Sequence, residues 1–206
     1  MRTVACLRAI LVIAVVAGCA STHPRSVVLH ASDNGPAGLP PSPATATFVL
    51  PSGWAGLPGD AESRGTGRFS LCPKSLSDVS GRPWIEVFFG YLDPTVPYTQ
   101  EGQARGYLNG IHHHSDDKVQ LAGVGVIQHP QFGPINLYRY SSDNWGERLY
   151  GEITAAPLGF SAELHCRGAS ALTEYRPALE AVLRSVQLHG IQPSHEDDPR
   201  RLQRGW

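Results

Sequence analysis

The segment Trp84-Ile85-Glu86-Val87-Phe88-Phe89-Gly90-Tyr91-Leu92 constrains the fold more than any other stretch. It is nearly continuous in apolar and β-favouring residues, the pattern of a central strand. A strand of that kind needs neighbours, and the sequence supplies them. Thr47 to Pro51 leads into a Ser52-Gly53-Trp54 turn, and Arg68 to Cys72 alternates polar and apolar residues. Val119 to Gln128, Ile135 to Tyr140, Glu147 to Thr154 and Phe160 to Cys166 follow, separated by Gly133-Pro134, Asp143-Asn144 and Pro157-Leu158-Gly159. Closely spaced strands with short turns predict an antiparallel meander. Gly123-Val124-Gly125, inside one of these runs, marks a bulge or a close strand approach.

Two helices break the strand pattern. Ala104, Tyr107, Leu108 and Ile111 share one helical face, with Thr99 as N-cap, although Gly102, Gly106 and Gly110 each cost about 1 kcal/mol in a helix interior. Near the C-terminus, Thr173 is expected to cap a helix carrying Tyr175, Leu179, Val182 and Leu183, with Pro177 in its first turn. The expected class is therefore α+β: an antiparallel sheet with helices flanking it. In order of elements the chain resembles the PsbP/Mog-like sandwich, carried by Phe48 to Trp54 (FVLPSGW) at the domain start and by the closing Phe160 to Val186 strand and helix. That resemblance implies a partner-binding domain over about residues 46–190 and brings no catalytic residues with it.

The first residues read differently. Arg2 and Arg8 form a basic start, and Ala9 to Ala17 is an apolar run too short to span a bilayer. The run ends in Val16-Ala17-Gly18-Cys19, which resembles the lipobox of bacterial lipoproteins. The resemblance implies that residues 1–18 are a signal peptide and that Cys19 becomes an acylated N-terminus bearing a diacylglycerol and an N-acyl chain. Several acyl chains anchor firmly where one is marginal. Ala20 after the cysteine implies delivery to the outer membrane, facing the periplasm. Residues 19–45 are rich in Ser, Pro, Ala and Gly and are expected to form a flexible tether, and residues 191–206 a disordered tail.

The chain has four cysteines. With Cys6 in the signal and Cys19 acylated, Cys72 and Cys166 are left in an oxidising compartment, where one disulfide is the expected outcome and a metal or redox pair the rival. Such a bridge would close roughly 94 residues and contribute about 4–5 kcal/mol in the chain-entropy model.

Function is less legible. A formal charge of −1 across 17 basic and 18 acidic residues excludes the basic face that nucleic-acid binding needs. The run His112-His113-His114 with Ser115, Asp116 and Asp117 has metal-ligand chemistry. Adjacent histidines do not converge on one ion without a special loop, so His112, His113, His114 and Asp116 read first as a solvated helix C-terminus. There is no GxSxG, no phosphate-cradling loop after a strand, and the paired carboxylates at 116–117 and 196–198 fall in polar stretches. The aromatic residues point to binding: Trp145, at a hairpin turn, and Tyr98, before the first helix, are the candidate partner contacts, while Trp54 and Trp84 read as core. The reading expected from sequence is a lipid-anchored envelope protein without a further cofactor, an accessory subunit or immunity-type inhibitor that binds a protein or envelope component. The alternative is a metal-assisted periplasmic hydrolase using His112 to Asp117.

Overall fold

The computed structural model of the chain describes residues 25–32, 42–57, 67–75, 83–114, 120–142 and 146–191, without the side chains of 111–114 and 142. A seven-stranded antiparallel sheet runs in the order β3 (Trp54–Gly56), β4 (Arg68–Pro73), β5 (Trp84–Tyr91), β9 (Leu158–Cys166), β8 (Gly146–Ala155), β7 (Gly133–Ser142), β6 (Gln120–His129). The class is α+β, as the alternation in these segments predicts. The apolar segment Trp84–Tyr91 is a central strand, paired with β4 on one side and β9 on the other. Helix α1 (Gln100–His114) lies between β5 and β6 in sequence, and the chain resumes at the far edge of the sheet. The meander β6-β7-β8-β9 then walks back until β9 meets β5. The β6–β7 register shifts between Gly123 and Gly125, the bulge that the two glycines mark.

A second sheet of three strands has β2 (Thr45–Val49) at its centre, flanked by β1 (Ser26–His30) and β10 (Gln187–His189). Ser26–His30 fall within the stretch read as tether. Val27 to Leu29 pair with Phe48 to Ala46, and Leu29, Ala31 and Ser32 are buried, so this part of the reading is corrected: the ordered structure begins well before residue 46. A five-residue strand carries too little periodicity to stand out from a Ser- and Pro-rich context.

Helix α2 (Ala169–Ser185) and the small sheet pack on one face of the large sheet. Leu172, Leu179, Val182 and Leu183 are buried there, with Phe48 against Phe160 at 5.9 Å and Trp54 edge-on to Tyr175 at 5.9 Å. The start of α2 corrects the expected cap. Gly168 is the N-cap, and Thr173 lies inside the helix with its hydroxyl donating to the Ala169 carbonyl at 3.1 Å. Leu172 extends the apolar stripe one turn toward the N-terminus, and burial of that turn outweighs the cost of leaving Pro177 in the helix interior, about 3 kcal/mol. Helix α1 covers the other face. Its expected cap forms: the Thr99 hydroxyl accepts from Gly102 N–H at 3.0 Å.

Candidate functional site

Side chains of a strand alternate between faces, so the pairing registers state which residues share the face beneath α1. Trp84, His165, Arg148 and Tyr140 form one cross-strand row; Glu86, Glu163, Tyr150 and Tyr138 form the next; Arg68, Phe88, Ser161 and Glu152 form a third. Seen one strand at a time, these are the polar half of an ordinary alternation. In the fold they are a buried polar layer, because α1 crosses over them: Arg148, Glu152, Glu163 and His165 are all buried.

The layer is tied together by specific contacts. Glu163 Oε1 lies 3.2 Å from Arg148 Nη1, while its Oε2 accepts the Tyr107 hydroxyl at 2.7 Å and sits 3.2 Å from His165 Nε2. Burial alone would raise the Glu163 carboxyl; His165, Arg148 and the Tyr107 hydroxyl outweigh it and hold the group below the usual carboxylate range. The same contact acts oppositely on Tyr107, whose hydroxyl is pushed far above its ordinary value by burial and by the Glu163 charge. Tyr107 stacks flat on Tyr150 at 5.6 Å, and Tyr140 meets both rings edge-on at 5.9 and 6.0 Å. The Tyr140 hydroxyl donates to the Ala104 carbonyl at 3.0 Å, which fixes the helix over the sheet.

Glu152 differs from Glu163. It is only 4% exposed, it accepts a short hydrogen bond from the Tyr150 hydroxyl, and no Lys, Arg or His among the described residues forms an ion pair with it. Burial pushes its carboxyl up to about 7.

Toward β5 and β4, α1 and the sheet diverge and enclose a cavity of 340 Å³. Glu152, Glu163, Glu86 and Asp93 bring carboxyl groups to it, and Phe88, Tyr91, Tyr107 and Tyr150 bring aromatic rings. Arg68 stands at its edge, 3.4 Å from Glu86 and 5.7 Å above the Phe88 ring. One wall is fixed by Gln103, whose side-chain carbonyl accepts from Asp93 N–H at 2.9 Å and whose amide donates to the Asp93 carbonyl at 3.0 Å. Gly159 allows close packing on the floor: a Cβ there would come within 2.3 Å of Leu92 and 3.0 Å of the Glu152 carboxyl.

The residues singled out from sequence are dispersed. Cys72 and Cys166 are buried thiols, so the expected disulfide is not formed. The register gives the reason: Leu71 pairs with Ile85 and Trp84 with His165, so β5 lies between the two cysteines and they sit on opposite faces. Two strand spacings, about 9–10 Å, exceed the roughly 7 Å limit for a bridge. Burial, followed by the charges of Glu174 and Glu147, pushes the Cys166 thiol up to about 12. Trp84 is also corrected. It is 38% exposed and stacks on His165 at 4.2 Å on the α1 side of the sheet, while Trp54 is core as expected.

Tyr98 is 36% exposed in the segment before α1. His112, His113 and His114 form the last residues of α1, the helix terminus that the sequence suggests, with side chains outside the described set. Asp116, Trp145 and Cys19 lie outside the described residues altogether. Among the described residues no cluster of His, Cys, Asp and Glu has the geometry to hold a metal ion. His129 belongs to the fold: its Nε2 donates to the Val186 carbonyl at 3.0 Å and its Nδ1 accepts from Gln131 N–H at 3.0 Å. No described helix is long and apolar enough to cross a membrane.

No protein-family model and no curated protein matches the chain. Among solved structures, it is similar to cyanobacterial PsbP (CyanoP) from Synechocystis, at 12% identity over 84% of this chain and 99% of that one, with a TM-score of 0.49. The Ran-binding protein Mog1p of Saccharomyces cerevisiae gives 8% identity over 80% and 96%, with a TM-score of 0.47. LpqN, involved in cell envelope biogenesis of Mycobacterium tuberculosis, gives 16% identity over 81% and 91%, with a TM-score of 0.44.

Proposed function

We propose that this chain is an envelope lipoprotein, anchored through lipid on Cys19 and facing the periplasm from the outer membrane, whose domain binds a partner without catalysing a reaction. The observation that carries the binding reading is the state of the polar groups around the α1 cavity. One of its buried carboxylates, Glu163, has both oxygens engaged by Arg148, Tyr107 and His165. A general base or nucleophile needs a lone pair aimed at substrate, and three of the four acceptor sites of Glu163 are taken up by the fold. Among the described residues, the lining includes no cysteine, histidine or lysine. What remains is a preformed recess with aromatic walls and a few fixed polar groups, the construction of a recognition site.

The anchoring half of the reading rests on Val16-Ala17-Gly18-Cys19 after a basic start and a short apolar run. Two experiments test the whole. Cells expressing the wild type should incorporate labelled palmitate and hold the protein in the membrane fraction; Cys19→Ser should lose both, and a variant that still labels would overturn the anchor. A photo-crosslinking residue at Tyr98 should trap one defined envelope component. Stoichiometric zinc in purified protein, lost when His113 and His114 are replaced, would overturn the non-catalytic reading.

A further inference from the structure

We infer that the cavity between α1 and the β4-β5-β9-β8 floor is a binding site for an organic cation, an alkylammonium or guanidinium group, with Glu152 as its counter-ion. The inference deepens the binding reading above and is independent of the lipid anchor.

The charges in the cavity do not balance. Glu163 and Glu86 have cationic partners and Asp93 is exposed, which leaves Glu152 as the buried carboxylate of the cavity without a cation among the described residues. Glu163 is held by Arg148, and Glu86 lies 3.4 Å from Arg68. Asp93 Oδ1 accepts from Thr95 N–H at 2.8 Å and from the Thr95 hydroxyl at 2.6 Å. Glu152 has a single neutral donor, the Tyr150 hydroxyl, and no cation, although it is buried. A buried acid without a cationic partner is costly to ionise, and a cation entering the cavity would offset that cost. Gly159 lets the Glu152 carboxyl and Leu92 lie against the floor, since a Cβ there would come within 3.0 Å of the carboxyl and 2.3 Å of Leu92.

The walls agree with the floor. Tyr107 and Tyr150 stack in parallel, and Phe88 and Tyr91 also line the recess, so an entering cation meets aromatic surface as well as the carboxyl. Arg68 does not oppose this, because its guanidinium is directed to Glu86 and lies over the Phe88 ring. A volume of 340 Å³ is at the small end of ligand sites, enough for a short amine or for one lysine or arginine side chain from a partner, and too small for a folded element.

The test uses the purified full chain with n-butylammonium as probe and 1-butanol as its uncharged counterpart, followed by calorimetry and by chemical shifts of α1 and β8 amides. Saturable binding of the amine, with no binding of the alcohol, is expected. Glu152→Gln keeps an acceptor for the Tyr150 hydroxyl and should weaken the amine by about tenfold or more, with an unchanged circular dichroism spectrum showing that the fold is intact. Equal affinity for amine and alcohol, or full affinity in a folded Glu152→Gln protein, would overturn the site. A Gly-Lys-Gly peptide separates the sources: tighter binding than the free amine identifies a protein side chain as the ligand, weaker binding a small amine. Loss of amine binding with the Tyr98 crosslink intact would overturn the cavity assignment alone, and the reverse result would overturn the partner reading alone.

Discussion

The two faces of the seven-stranded sheet are made from the same strands and solve opposite problems. On the α2 side, Leu71, Ile85, Leu149, Phe160 and Leu164 are fully buried against Phe48, Leu179, Val182 and Leu183, and the contact is mainly apolar, with Val49 N–H donating to the Ser185 hydroxyl and His129 Nε2 to the Val186 carbonyl. On the α1 side, the alternate residues of those strands are Glu86, Arg148, Tyr150, Glu152, Glu163 and His165, and the apolar cluster among the described residues is Ala104 with Tyr138, Tyr140 and Tyr150. The helices follow suit. Helix α2 is held by an apolar stripe, whereas α1 is tied down by polar bonds: Gln100 donates to the Pro134 carbonyl at 2.9 Å and accepts from Asn136 N–H at 2.7 Å, and Gln103 clasps Asp93. One face holds the fold together and the other, at a cost in desolvation, keeps charged groups at fixed positions.

Substitutions on each face should therefore differ in kind. Phe160→Ala on the apolar face should lose about 4 kcal/mol of unfolding free energy in urea, the usual result of deleting a buried ring. A loss below about 1 kcal/mol would mean that the face is not packed as described. Arg148→Met on the polar face should lose about 3 kcal/mol, because it removes the guanidinium that faces the buried Glu163 charge. Adding Glu163→Leu should restore much of that loss. If the double variant is no more stable than the single, the pair stabilises the fold outright and the contrast between faces fails.

The two glutamates also predict opposite responses to pH. Glu163 is lowered in the folded protein, so the stability it contributes is present above its unfolded pKa and is lost as pH falls through the folded value. Glu152 is raised from 4.5 to about 7, so its stability is present below 4.5 and is lost as pH rises through about 7. Between pH 4.5 and about 8 the Glu152 contribution should fall by roughly 2–3 kcal/mol. Glu152→Gln should abolish that part of the profile, and a thermal melt series across this range that is unchanged by the substitution would remove the assignment. Thr99→Ala should cost about 1 kcal/mol and act on α1 alone, read as faster amide exchange there than in α2. The exposed Glu101–Arg105 pair should be worth about 0.3–0.5 kcal/mol, near the limit of measurement.

The meander and both helices were legible in the sequence because each long element repeats its pattern several times. Strands β1, β3 and β10 were not, since three to five residues carry no period against their surroundings. The expected bridge failed for a related reason: cysteine counting knows the compartment, but the face and strand position of Cys72 and Cys166 exist only after pairing. The cavity was hidden more thoroughly. Arg148, Tyr150 and Glu152 look like the solvent side of a half-buried strand, and only the path of α1 turns them into an interior. The signal was present in weak form, as ionisable residues on two successive strands at the spacing of one face.

The crossover between β5 and β6 also sets the order in which the molecule can assemble. Hairpins β6–β7, β7–β8 and β8–β9 close over short distances along the chain, but Trp84 must find His165, and Tyr91 must find Leu158, across the whole intervening helix and meander. The entropy of that closure has to be met before the pairing rewards it, which makes the β5–β9 seam a late and slow event. Until then the meander presents β9 as an open edge, nine residues long and apolar on alternate positions, ready to template another chain. For a protein emerging unfolded into a crowded space, the hazard lies at the centre of the finished sheet rather than at its rim.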